Sequence, residues 1–340
     1  MNGYQRIAAV LRGDWPDRRP VMLHNFMMAA REAGITMQQF RTDPSAIARA
    51  FIQSVEKYGL DGVLVDVDTA TLAGAAGVPV EFPPDEPAVC RGRVLERLEA
   101  VDNLEPVNIA RYPGVQVWLE AVGLLSKHFG GEVWVRGNCD QAPFSLAAML
   151  RGMEDWMMDL MDEAATERVE KLLAYASGIT CQFLVLMAGT GCHMLSNGDS
   201  SGGSSLISPR LHRKFAHPWE RRMADQAHVL GLPWALHVCG NTRTILEDLA
   251  DTGADAVELD FKTPASDAHD VLRSRAAFIG NLDPTGVLAR GTPQVVEEKT
   301  RELIQIFRDS PRLILNAGCA LPADTPPANI RAMVRAAWSG

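Results

Sequence analysis

The chain has 340 residues, with 33 Lys and Arg against 42 Asp and Glu, a formal net charge of -9. That balance argues against nucleic acid or an anionic membrane as the main partner. Hydrophobic residues make up 47% of the chain, enough for one large core. No run approaches the roughly 18 apolar residues that a membrane helix needs.

The opening stretch, Met1 to Gly13, reads as a short amphipathic helix closed by a glycine, with no signal-peptide core. Six scattered cysteines without a CxxC pair do not make a disulfide framework, and reduced thiols in a cytoplasm fit best. Short apolar runs then recur along the chain. They are Pro20–His24, Gly62–Asp66, Glu132–Arg136, Cys192–Ser196, Trp234–His237, Ala256–Asp260, Ala277–Gly280 and Leu313–Asn316. Continuous apolar runs suit parallel strands covered on both faces. Helical patterns separate them. Ser208-Pro209, Thr292-Pro293 and Thr325-Pro326 each place a capping hydroxyl before a proline at a helix start. Thr242 is expected to cap a helix that Gly253 ends.

Strands alternating with helices at this length predict a (β/α)8 TIM barrel, a single domain over residues 1–340 with an N-terminal helical extension. An open doubly wound sheet is the alternative, weakened because no GxGxxG follows an early strand. The connection from Thr69 to Gly130 is too long for a simple βα unit and contains Pro79, Pro83, Pro84 and Pro87. It reads as an excursion after strand two that partly covers the barrel mouth. Ser200 to Ser205 reads as a mobile loop.

In such barrels the chemistry sits at the C-terminal strand ends. Those ends offer His24, Asp66 and Asp68, Asn138 and Gln141, Asn197 and Asp199, then His237 and Cys239. They continue with Glu258 and Asp260, Asn281 and Asp283, and finally Asn316 and Cys319. Residues two apart on a strand share a face, so His237 and Cys239 point the same way. An imidazole and thiolates favour Zn²⁺ over the oxygen-seeking Mg²⁺ or Ca²⁺. Cys319 is the candidate third ligand, and an acidic residue from strand six the fourth. Cys90, Cys139, Cys181 and Cys192 are expected in core or loop positions. His128, His212, His217, His228 and His269 are expected on the surface or packed against helices. Asp66 and Asp68 would either bind substrate or cap the next segment. Met22, Met27 and Met28 would line an apolar pocket.

The segments Leu11 to Val21, Ala142-Pro-Phe-Ser-Leu, Leu206-Ile-Ser-Pro-Arg, Gly280-Asn-Leu-Asp-Pro and Asn316 to Ala332 resemble the uroporphyrinogen decarboxylase superfamily. The resemblance covers nearly the whole chain. Within it the chain is similar to the zinc-dependent corrinoid methyltransferase branch, which carries His-x-Cys and a distant Cys. Those ligands fall on His237, Cys239 and Cys319. Decarboxylases of the superfamily hold porphyrinogen carboxylates with an Arg-rich segment. Here Arg31 remains but Ile35 stands in place of the second Arg, Met149 replaces a Tyr, and Gly318-Cys319-Ala320 replaces Gly-His-Gly. Cobalamin-independent methionine synthase, on a related barrel, adds a Glu ligand. By position Asp260 is the preferred equivalent, with Glu258 or a substrate atom as alternatives.

The resemblance implies a zinc-dependent methyltransferase moving a methyl group between a partner corrinoid (cobalamin) protein and a small thiol or methylated substrate. His24, Asn197, Asp199 and Asn281 are expected to orient substrate or cofactor. A metal-independent decarboxylase using Arg31 with Asp66 or Asp68, and a catalytically silent accessory subunit, are the alternatives. A homodimer is compatible with the sequence.

Overall fold

The computed structural model describes residues 1–339. Its central sheet has eight parallel strands in sequence order. These are β1 (Met22–Leu23), β2 (Gly62–Val65), β3 (Trp134–Gln141), β4 (Met194–Gly198), β5 (Trp234–Val238), β6 (Ala256–Leu259), β7 (Ala277–Leu282) and β8 (Leu313–Ala317). A single parallel bridge, Val21 to Leu315, joins the first strand to the last and closes the ring. The fold is a (β/α)8 TIM barrel, as the alternation of apolar runs and helical patterns predicts.

Period-two alternation explains what fills the barrel. Met22, Trp134, Met194, Ala235, Ala256, Ala277 and Ile314 form an apolar layer at the N-terminal end. Helix α1 (Gly3–Arg12) plugs that end with Ile7 and Val10. Two residues further along the strands, the inward positions turn polar: His24, Arg136, Ser196, His237, Glu258 and Asn316. The sequence thus builds a dry floor first and sets its chemistry on top of it.

The helices present one apolar stripe to the sheet. Helix Pro44–Tyr58 starts where Asp43 accepts hydrogen bonds from the Ser45 and Ala46 N–H groups, and Pro44 occupies the first turn. It buries Ile47, Phe51 and Val55 and stops at Gly59, which adopts φ 67°. Each such large side chain contributes on the order of 1.5–3 kcal/mol by leaving water. One segment, Glu163–Ala188, is long and apolar enough to cross a membrane by length and composition, which the sequence reading passed over. Its stripe of Val169, Leu172, Ala176, Ile179 and Phe183 is buried in the protein.

Two expected caps differ. Thr325 does not start the last helix, which runs Pro327–Trp338; its hydroxyl donates to the Pro322 carbonyl instead. Thr242 makes no side-chain cap, because its hydroxyl is engaged with Thr263. The excursion after β2 holds a two-stranded hairpin, Val80–Glu81 with Val89–Cys90, and helix Pro113–Phe129. Its Pro87 reaches the cavity at the barrel mouth.

Candidate metal centre

Strand β5 carries His237 inward, and the chain keeps that face through Cys239. His237 Nε2 lies 3.1 Å from Cys239 Sγ, and Cys239 Sγ lies 3.7 Å from Cys319 Sγ. All three donor atoms fall within 4.8 Å of one another, the one such group of His, Cys, Asp or Glu among the described residues. Two sulfurs on a tetrahedral zinc, each at about 2.3 Å, stand about 3.8 Å apart. The observed separation suits that chord and is far too long for a disulfide. The donor set therefore fits Zn²⁺.

Local backbone delivers each ligand. After Cys239 the chain turns at Gly240, in the left-handed region at φ 83°. Asp260 Oδ2 accepts the Gly240 N–H at 2.8 Å, and its Oδ1 accepts the Lys262 N–H at 3.0 Å. The serine-rich stretch expected to be mobile clasps the same turn. Ser200 Oγ accepts the Cys239 N–H, Ser205 Oγ accepts the Asn241 N–H, and Ser204 Oγ donates to the Asn241 carbonyl. Cys319 hangs beyond β8 on Gly318, where any Cβ would collide with the backbone of Asp260 and Phe261. Gly318 N–H donates to the Leu282 carbonyl, and Leu321 N–H to that of His24.

Without an ion, the cluster's electrostatics concentrate negative charge on one sulfur, that of Cys239. Cys319 donates to Cys239, and together with His237 this holds the Cys239 thiol well below its usual range. The same bond, with burial, pushes Cys319 up. Burial would lower His237, but the adjacent Cys239 thiolate outweighs it and raises the imidazole to about 9. His237 Nδ1 is buried without a hydrogen-bond partner and faces Glu258 Oε2 at 3.7 Å, the oxygen that Arg136 holds. Glu258 also pairs with Arg136 at 2.7 Å and accepts from Asn316 at 2.6 Å. Burial would raise Glu258, yet Arg136 and His237 hold it below the usual range.

The site residues expected from sequence therefore separate. His237, Cys239 and Cys319 come together. Asp260, the preferred fourth ligand, is not among the converging atoms; the chain turns after Leu259 and both its oxygens cap loop backbone. Glu258 stands directly behind His237. His24 lines the cavity, its Nε2 2.6 Å from Asp66 Oδ2. Asp68 caps the start of helix Thr71–Ala75 by accepting the Ala70 and Thr71 N–H groups. Asn197, Asp199 and Asn281 do not line it. Asn197 bridges the Cys139 carbonyl and the Trp234 indole N–H, and Asn281 donates to the Asp260 and Thr263 carbonyls. Of the three methionines only Met27 reaches the cavity; Met22 belongs to the barrel floor and Met28 to the surrounding core. Arg136 and Asp140 also line the cavity, and sequence reasoning passed over both.

Asp199 is fully buried, with one oxygen accepting the Ser145 N–H and the other unpartnered. Burial raises its pKa from 3.8 to about 7. Protonation therefore favours folding: the contribution is whole below the ordinary value, declines as pH rises, and is gone above about 7. Asp199→Asn should remove this dependence. It is expected to melt higher than the wild type at alkaline pH, with an upper bound of about 4 kcal/mol, and to match it only below the ordinary carboxylate value. Thermal melts across that range check this.

A family model described as uroporphyrinogen decarboxylase (URO-D) matches residues 2–339. The chain belongs to this family. It is 26% identical over 338 residues to a methylcobamide:CoM methyltransferase, MtbA, of Methanosarcina acetivorans, covering 98% of this chain and 96% of that one. It is 28% identical to a uroporphyrinogen decarboxylase of a Nocardioides species, covering 89% and 86%. Among solved structures, a methyltransferase from Methanosarcina mazei shares the fold with a TM-score of 0.89 at 22% identity, covering 99% and 98%. The chain's relatives thus carry names of both chemistries, and the site must discriminate between them.

Proposed function

We propose that the protein is a zinc-dependent methyltransferase that moves a methyl group between a partner corrinoid protein and a small heteroatom-bearing substrate. The observation that carries this reading is the convergence of His237, Cys239 and Cys319 within 4.8 Å at the barrel mouth. The Methanosarcina relative's name supports the same class of reaction.

His237, Cys239 and Cys319 would hold the ion. When bound, Zn²⁺ supplies Lewis acidity that lowers the pKa of a substrate thiol and keeps it nucleophilic. The chain's residues set the stage around it. Two thiolates and a neutral imidazole balance the ion's charge, so the nucleophile is not overly stabilised. Glu258 orients the His237 ring from behind. Phe26 and Met27 keep the inner cavity apolar. In the thiol-methylating direction, a sulfur lone pair forms the S–C bond. The methyl–cobalt bonding pair stays on cobalt as Co(III) becomes Co(I), and the thiol proton leaves to solvent. The cavity of about 220 Å³ has room for a small substrate only, so the corrin must approach from the rim.

The decarboxylase alternative finds less support. Arg31 is exposed and lines a neighbouring hollow with Asp85; the two linings share Met27, and Arg31 is not part of this cavity's wall. Zinc-loaded protein is expected to demethylate methylcobalamin in the presence of a thiol, with loss of the methyl–cobalt absorbance. A chelator should stop the reaction and added zinc restore it. Full activity without metal, or CO₂ release from a carboxylated substrate, would contradict the proposal.

A further inference from the structure

The wall of the metal cavity carries several carboxyl groups, and its unused polar atoms include acceptors on residues that line the cavity with the metal ligands. Asp66, Asp68, Asp140 and Glu258 line it against a single guanidinium, Arg136. That guanidinium is 1% exposed and already paired with Glu258 at 2.7 Å, although its Nε and Nη1 have no partner. The metal set with Zn²⁺ is formally neutral. With Glu258 paired to Arg136 and Asp66 to His24, the carboxyl groups on the wall that no basic side chain offsets are Asp68 and Asp140.

Two buried acceptors on this wall lack any donor. One is Asp140 Oδ1. Asp140 is 2% exposed, and its Oδ2 takes the Leu72 N–H at 2.7 Å. A register shift between Asn138 and Gln141 places it there. It sits at φ 56°, the only positive-φ residue other than glycine among the described residues. The other is His24 Nδ1. His24 is nine-tenths buried, its Nε2 lies 2.6 Å from Asp66 Oδ2, and in the neutral tautomer that donates Nε2–H to Asp66 the Nδ1 atom is a lone-pair acceptor. A buried acceptor without a donor is costly and is satisfied when a donor arrives. Burial first, and then repulsion from neighbouring carboxylates, raises both groups: Asp66 acts on Asp68, and Asp68 with Asp66 acts on Asp140. A cation relieves that repulsion, whereas an anion adds to it.

We infer that this cavity selects a small substrate carrying a protonated amine near its reacting heteroatom, an aminothiol or a methylated amine, and disfavours carboxylates and sulfonates. The inference rests on the metal reading for the reacting end and on the cavity wall for the charged end. It separates this chain from its Methanosarcina relative, whose named acceptor, coenzyme M, is a sulfonated thiol.

A matched pair of ligands tests it. 2-Aminoethanethiol and 2-mercaptoethanesulfonate offer the same thiol arm with opposite charges at the far end. Calorimetric titration of zinc-loaded protein should show the aminothiol binding at least about tenfold more tightly. Asp140→Asn, which keeps the Leu72 contact and tolerates the same backbone, should shrink that advantage several-fold with zinc content unchanged. Equal or tighter binding of the sulfonate overturns the inference, as does an advantage that Asp140→Asn leaves intact. Ethylammonium and ethanesulfonate, titrated into chelator-treated protein, separate the two readings because neither needs a metal. A preference for ethylammonium there upholds the cavity's selectivity even if the protein proves to hold no zinc. A preference for ethanesulfonate, or binding of neither ion, overturns it.

Discussion

Cys319→Ser is expected to leave the protein without zinc while leaving it folded. The side chain lies on the loop after β8 and makes no contribution to the barrel floor or the helical layer. Its Sγ is 3.7 Å from that of Cys239, and it completes a three-donor set that His237 on β5 and Cys239 just after it cannot make alone. A serine oxygen is a shorter arm and a poorer zinc donor than a thiolate. Metal analysis of purified protein should fall from about one equivalent per chain to background, and methyl transfer should go with it. Cys90→Ser is the control. Cys90 sits in the hairpin of the excursion, outside the converging group, and its replacement should leave zinc in place. Zinc retained in Cys319→Ser would dismantle the metal reading.

Glu258→Ala is expected to do damage of two kinds. The Arg136–Glu258 pair is 1% exposed on each side, deep within the barrel. Removing the carboxylate strands a guanidinium with no compensating charge, which costs about 3–5 kcal/mol of stability. It also takes away the group behind His237 Nδ1. Loss of such an orienting carboxylate lowers metal affinity about 10–100-fold. Urea unfolding reads the first effect and zinc competition with a chromogenic chelator the second. The paired replacement Arg136→Met with Glu258→Gln separates them: stability should recover in large part, while zinc affinity should stay low. If both recover together, Glu258 serves the fold alone.

Much of this architecture was legible in the residues. The eight apolar runs were visible because parallel strands buried on both faces need them, and the barrel followed from their alternation with helices. His237 and Cys239 were legible from their two-residue spacing, and Cys319 from the likeness of its strand end. The misplaced expectations share one cause. Polar residues at strand ends also serve the backbone, and spacing cannot tell that use from catalysis. Asp260 lies nearer the strand end than Glu258, but the chain turns after Leu259, so the nearer carboxylate holds the Gly240 turn and the deeper one meets His237. Asn197 and Asn281 were absorbed the same way by carbonyl groups. Asp140 was hidden for a different reason. Its place on the cavity wall depends on a register shift within β3, which leaves no trace in the pattern of apolar residues.

An ion held by the three donors would string a chord across the rim of a hoop. Two of its knots belong to the fifth stave and the third hangs from the eighth, eighty positions later in the chain. The eighth stave also carries the seam, where the one bridge between Val21 and Leu315 stitches the ring shut. Tension on that stitch and tension on the chord are therefore borne by the same piece of backbone. An empty rim and a loosened seam would be two views of one event.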